Sequence, residues 1–295
     1  SILELKLSTK LKKDPIGIDA LEEYLNEASD FSFELRILKK LTEMGISCDH
    51  GGQYRDPDTK KYREFDLRVS LTQGAATFVA AIECKSIGLH FPLLVSCVHR
   101  RETEAFHEAF LHSKKKSQDA SAPFYLPHIE MPSAMHGIRI GTSALYPTGE
   151  PVGKSTAQVG RYANKEDLHV NDAEFFEKWS QALQSLDDLV DNISDDELVD
   201  IVGSVKPHWA IALPIVVIPD GTLWTVNYSD DGSKEGSPSQ VDRASIFIGR
   251  EYKGLMPGGS YIVSHLEVMT ETGLATFFGD YLMKDKALLN LVRGR

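Results

Sequence analysis

Apolar residues recur with a helical period over residues 18–28, and again from Phe31 or Phe33 to Met44, where Gly45 stops the pattern. This spacing predicts two amphipathic helices. The period then shortens to two, and residues 46–86 read as strands. Over 62–71, Phe65, Leu67, Val69 and Leu71 share one face, while Glu64, Asp66, Arg68 and Ser70 share the other. Turn-forming residues bracket this strand, Asp56-Pro57-Asp58 before it and Thr72-Gln73-Gly74 after it. Further strands are predicted at 77–85 and 91–98.

Residues 101–150 begin with a helical piece and then break up at Pro123, Pro127, Pro132 and Pro147, which predicts an insertion or mobile loop. Helices are predicted over 155–165 and 172–192, the second with apolar positions at Phe175, Phe176, Trp179, Leu183, Leu186 and Leu189. The charged run 187–200 reads as a solvated helix face and linker. Residues 211–218 and 223–228, joined by Pro219-Asp220-Gly221, predict a β-hairpin. A Gly- and Ser-rich loop follows at 230–240, then strands at 245–249 and 261–269 and a helix at 273–283. The pattern implies a mixed α/β (α+β) chain. It divides into a helical leader (1–30), a core (31–100), the insertion (101–150) and a region of helices and strands completing that core (151–295).

Composition narrows the class. With 42% hydrophobic and 25% charged residues, the chain is that of an ordinary folded protein. Its longest apolar run, 209–218, is too short to span a bilayer and is interrupted by Pro214, so no membrane partner is expected. The first fifteen residues lack the features of a secretory signal, and three cysteines without a CxxC pair fit a reducing compartment, so a cytoplasmic location is expected. The net charge of -11 disfavours a simple nucleic-acid binder until its distribution is considered. Residues 1–120 carry 18 basic against 19 acidic residues, leaving 14 against 24 for the remainder. The near-neutral first part also holds basic clusters. Lys60, Lys61 and Arg63, with Lys114, Lys115 and Lys116, are candidates to track a phosphate backbone, although such clusters are more often solvated faces.

The candidate chemistry lies in that part. Period two puts Glu83 and Lys85 on one strand face, and the short 71–77 connection makes the preceding strand, with Asp66 on its polar face, an antiparallel neighbour. Two hard oxygen ligands then converge, as Mg²⁺ requires. Lys85 supplies a point charge beside them. Glu34 lies on or beside the apolar helix stripe of Ile37, Leu38, Leu41 and Met44, where a carboxylate needs a partner.

Phe33-Glu34-Leu35 on a helix, Arg63-Glu64-Phe65-Asp66 on a strand and Ile82-Glu83-Cys84-Lys85 on the next resemble the PD-(D/E)xK nuclease superfamily over residues 31–86. The resemblance implies a restriction-endonuclease-like core, a mixed and partly antiparallel sheet flanked by helices. It also implies a DNA endonuclease dependent on Mg²⁺ or Mn²⁺. Asp66 and Glu83 become metal ligands, Glu34 an accessory ligand, and Lys85 the catalytic base or electrostatic stabiliser. The literal Pro57-Asp58 falls in a turn, so Asp66 is preferred. If the helix near Lys154 replaces the helix expected after the third strand, Gln158 becomes an accessory site residue. The alternative is a catalytically silent nuclease-like module that binds nucleic acid or a protein partner, and a homo-oligomer is compatible with either reading.

Other signals are weaker. Residues 149–155 fall one residue short of a phosphate-binding loop. His99, His107 and His112 have no metal-ligand spacing, and Trp179, Trp209 and Trp224 sit in apolar patterns typical of core.

Overall fold

The computed structural model describes residues 14–27, 29–56, 58–112, 136–141, 143–163, 167–171, 173–196, 208–253 and 260–294. Helices α1 (Ile18–Glu27) and α2 (Phe31–Glu43) form where the helical period predicts them. Phe33, Ile37 and Leu41, four residues apart, are buried. Gly45 ends α2 at φ +77°, a conformation that costs glycine little, and donates its N–H to the Thr42 carbonyl at 2.9 Å. Three antiparallel strands follow: β1 (Ser47–Arg55), β2 (Tyr62–Gln73) and β3 (Ala76–Cys84). Every residue of β3 is buried, because helices cover both faces of the sheet there.

The chain continues through β4 (Leu93–His99), β5 (His107–His112), β6 (His136–Ile140), β7 (Pro151–Arg161), β8 (Leu168–Asn171) and α3 (Ala173–Asp196). It then adds β9 (His208–Ile218), β10 (Leu223–Tyr228), β11 (Lys234–Gln240), β12 (Arg243–Lys253), β13 (Ser260–Thr270), α4 (Glu271–Thr276) and α5 (Ala287–Arg293). Among the described residues thirteen strands join one mixed sheet, ordered β1-β2-β3-β9-β13-β12-β7-β4-β10-β11. Off this path, β5 pairs with β9 and β6, and β8 pairs with β7. Strand β9 runs parallel to β3 along one edge; its other edge takes β5 first and then β13.

The core lies on both sides of this centre. Phe33, Ile37 and Leu41 of α2 pack with Phe277, Phe278 and Leu288 on one face. On the other, Leu183, Leu186 and Val190 of α3 pack against Val79, Ala81 and Ala212. Each of the larger of these side chains, valine upward, contributes about 1.5–3 kcal/mol when fully buried. Arg68, on the polar face of β2, is also covered: its Nη1 lies 2.8 Å from Asp188 Oδ2 of α3 and its guanidinium stacks on Phe65. Among the described residues no helix is long and apolar enough to cross a membrane.

Four local expectations are overturned. Residues 151–161 form strand β7 rather than part of a helix over 155–165. Gly153 and Gly160 are poor helix formers, and a Cβ at Gly153 would meet Val95 and Ile246 side chains at 2.7 and 2.9 Å. The segments 211–218 and 223–228 are not a hairpin, because β9 pairs with β3, β5 and β13 while β10 pairs with β4 and β11. Residues 101–150, expected to begin as a helical piece and continue as a loop, hold only a short 3₁₀ turn at Glu102–Glu104 before β5 and β6 dock on the sheet. Residues 113–135 lie outside the described residues. The 230–240 loop likewise contains β11.

Gly273 supports a specific prediction. Thr270 caps α4 by accepting from the Gly273 N–H at 3.0 Å, and its own N–H donates to the Asp242 carbonyl at 2.9 Å. A Cβ on Gly273 would fall onto that carbonyl oxygen and within 2.7 Å of its carbon. Gly273→Ala is therefore expected to lower the urea-unfolding free energy by about 1–3 kcal/mol, although alanine ordinarily gains up to ~1 kcal/mol over glycine in a helix. A raised urea midpoint would show that Asp242 yields without cost.

Candidate functional site

The alternation of β2 and the period of β3 bring Asp66 and Glu83 together. Leu67 pairs with Ile82, so one step further sets Asp66 opposite Glu83 at the end of the ladder. Asp66 Oδ2 accepts the Cys84 N–H at 2.7 Å, which fixes the carboxylate beside β3. Between the two acids lies a cation that the sequence reading did not name. Lys178 of α3 places Nζ 2.8 Å from Asp66 Oδ2 and 3.4 Å from Glu83 Oε2. Glu83 is 1% exposed, and its Oε1 is buried without a hydrogen-bond partner among the described residues.

Lys85 continues the β3 ladder, donating its backbone N–H to the Val217 carbonyl at 2.9 Å. Its Nζ turns to Asp30 Oδ2 at 3.4 Å and Glu174 Oε2 at 3.5 Å. Asp30, immediately before α2, also accepts the Ser86 N–H at 2.7 Å and so ties α2 to the end of β3. Glu34, one turn into α2, pairs with His50 Nε2 of β1 at 3.7 Å. The two lysines thus stand among five carboxylates, Asp30, Glu34, Asp66, Glu83 and Glu174.

This excess of negative charge shapes the protonation states. Burial, then the charge of Asp66, holds the Glu83 carboxyl well above the usual carboxylate range, against the pull of Lys178. Burial and Asp66 also raise Glu34, with Lys178 and His50 opposing. For Lys178, burial favours the neutral amine, but Asp66 and Glu83 outweigh it and raise the pKa. The ammonium therefore stays charged.

The expected convergence of Asp66, Glu83 and Glu34 on one ion is met only in part. Among the described residues, no group of three or more His, Cys, Asp or Glu side chains comes together to hold a metal ion. Lys178 fills the space between Asp66 and Glu83, and Glu34 faces His50. The chemistry of the pair nevertheless suits a hard cation: two facing carboxylates, one with an unpartnered buried oxygen, match the one or two acidic ligands that Mg²⁺ takes while keeping its waters.

The other candidates fall elsewhere. Gln158 sits on β7, separated from β3 by three intervening strands in the sheet order, and its Nε2 donates to the Phe91 carbonyl at 3.3 Å. It is buried structure, not an accessory site group. Asp58 is exposed and pairs with Arg250 at 3.3 Å, so the turn is not the ligand position; Pro57 lies outside the described residues. Arg63 donates to buried Asp56 at 2.6 Å and Lys60 donates its backbone N–H to the Asp56 carbonyl, so both hold the β1–β2 turn, while Lys61 is exposed. Lys114, Lys115 and Lys116 lie outside the described residues.

A signal for Lys178 was present in the sequence. It falls three residues after Phe175 and four before Ala182, both buried against the sheet, so it is a lysine on an apolar stripe that needs a buried anion. Compared with family models, with curated proteins and with solved structures, the chain gives no match.

Proposed function

We propose that this chain is a metal-dependent nuclease of the restriction-endonuclease-like kind, hydrolysing nucleic-acid phosphodiester bonds, with DNA as the favoured substrate. The observation that carries the reading is the meeting of Asp66 and Glu83 at a single cation, with Lys85 two residues further along the same strand. Two features of the fold support it. Helix α2 precedes three antiparallel strands, and α3 covers the opposite face of the sheet.

In this reading Asp66 and Glu83 hold Mg²⁺ or Mn²⁺, with Glu34 as an accessory through the electrostatic field it shares with Asp66. The bound ion supplies Lewis acidity and an activated water. Lys85 reaches the phosphate as a point charge, released from Glu174, which is 65% exposed and a weak partner. Cys84 N–H keeps the Asp66 carboxylate aimed. A second reading, a silent nuclease-like module that binds nucleic acid or a protein, is favoured by one observation: Lys178 lies where the metal would be.

The test is cleavage of supercoiled plasmid, linear duplex and single-stranded DNA with Mg²⁺, Mn²⁺ or EDTA. Wild type is expected to cut only with metal, and Asp66→Ala to be inactive while still folded by circular dichroism, at some cost in stability because Lys178 loses its nearer counter-charge. Binding of DNA without cutting by wild type selects the silent module, and cutting unaffected by Asp66→Ala removes the site assignment.

A further inference from the structure

We propose that Lys178 is the resident counter-ion of the Asp66–Glu83 pair and competes with a divalent cation for it, so that α3 controls metal loading. This rests on the metal-binding part of the nuclease reading and not on catalysis itself. The geometry is that of a shared ligand: one ammonium touches one oxygen of each carboxylate, at 2.8 and 3.4 Å, as a bridging metal ion would. A second positive charge cannot join it at that spacing without strong repulsion in so buried a place.

The pair is incompletely served by Lys178. Glu83 Oε1 is buried and unpartnered, so the ammonium leaves one oxygen of the more enclosed acid unsatisfied. A divalent ion carrying its own waters satisfies both oxygens. Lys178 also has the means to leave. Its side chain is 17% exposed, and a lysine is a point charge on a flexible four-carbon stem, so Nζ can swing without moving the helix. A receiving anion stands one turn back on α3: Glu174, four residues N-terminal to Lys178, in the favourable order for a helical ion pair. Asp30 acts on Lys178 electrostatically as well. Lys85, by contrast, is held by Asp30 and Glu174, so the two lysines are not equivalent. The backbone of α3 stays in place throughout, because Phe175 and Ala182 on either side of Lys178 are packed into the core.

The experiment is Mn²⁺ binding, followed by electron paramagnetic resonance of the free ion, to wild type, Lys178→Met, Lys178→Gln and Lys178→Met/Asp66→Asn. Folding is verified by circular dichroism. Both single variants are expected to bind Mn²⁺ at least about tenfold tighter than wild type, equivalent to about 1.4 kcal/mol, and the double variant to lose the gain. Equal or weaker binding in the single variants overturns the proposal. If neither single variant folds, wild-type crystals soaked in Mn²⁺ decide. An ion at Asp66 and Glu83 with Lys178 Nζ moved away supports displacement; Lys178 still bridging, with or without an ion, overturns it. Tight Mn²⁺ binding by Lys178→Met in a protein that cuts nothing keeps the proposal while removing the nuclease reading. Metal-dependent cleavage without the gain in binding does the reverse.

Discussion

A Glu83→Gln protein is expected to lose metal-dependent cleavage by about a thousandfold or more and, at neutral to alkaline pH, to be more stable than wild type. The first half follows from removing a charged ligand from an ion that contributes several kcal/mol to the transition state. The second follows from the cost of keeping that charge buried. Burial and Asp66 raise the Glu83 pKa in the folded chain above its ordinary value of 4.5. Between the unfolded and folded values the native state therefore binds more protons, and stability falls as pH rises through that window. Below 4.5 both states are protonated and the penalty vanishes. Glutamine carries no charge at any pH. Its melting temperature is expected to exceed that of wild type by a few degrees, roughly 2–4 °C, above the window, and to match it below. Loss of one Lys178 contact opposes this gain, but burial is the larger effect on Glu83. Lower stability of Glu83→Gln at alkaline pH would refute the assignment of strain to this carboxylate.

Arg243→Met is expected to cost about 3–5 kcal/mol, the usual consequence of stranding one member of a buried ion pair. Glu267 is fully buried, and Arg243 grips it with both arms, Nε to Oε2 at 2.7 Å and Nη2 to Oε1 at 3.1 Å. The guanidinium also covers the Phe277 ring at 4.8 Å. Tyr146 stands against the same carboxylate; burial, then the Glu267 charge, raises its hydroxyl pKa. With methionine at 243 the carboxylate keeps its desolvation and loses its counter-charge. Restoring neutrality with Glu267→Leu in the same chain is expected to recover most of the loss. Urea unfolding of wild type and these two variants measures this, and a single-variant cost below about 1 kcal/mol would mean that Arg100, whose charge also acts on Glu267, takes over as counter-ion.

What could be read from the chain was what is local. The alternation through Asp66 and the spacing of Glu83 and Lys85 are properties of a single strand each, and both acids meet as the period requires. What could not be read was partner choice. The Pro219-Asp220-Gly221 turn exists, with Gly221 at φ +78° and the Thr222 N–H bonded to the Pro219 carbonyl, yet the strands on either side go to different neighbours. A near-continuous apolar run such as 209–218, broken only by Pro214, marks a strand covered on both faces, which favours parallel partners over a hairpin. The strand at Gln158 escaped for the opposite reason: Lys154, Ala157 and Gln158 favour helix, and the two glycines that forbid it are needed for close contacts to Val95 and Ile246 of neighbouring strands and to Phe91 just before β4. Lys178 was legible by the argument applied to Glu34, a charge on an apolar stripe, but its anions come from strands about a hundred residues earlier.

The pairing of β3 with β9 joins residues 76–84 to residues 209–217. Contacts of such long sequence separation are closed late and slowly, because the entropy of the intervening loop is lost before the pairing is gained. Until β9 is synthesised, the edge of β3 that it covers has no neighbour, and the nascent chain carries an open template for intermolecular strand addition. The carboxylate pair at the end of that edge therefore gains its Lys178 counter-charge, and its strand the β9 partner, only after residues 173–217 have been made. Slow refolding in vitro and a dependence of yield on chaperone supply are the expected cost of that order of assembly.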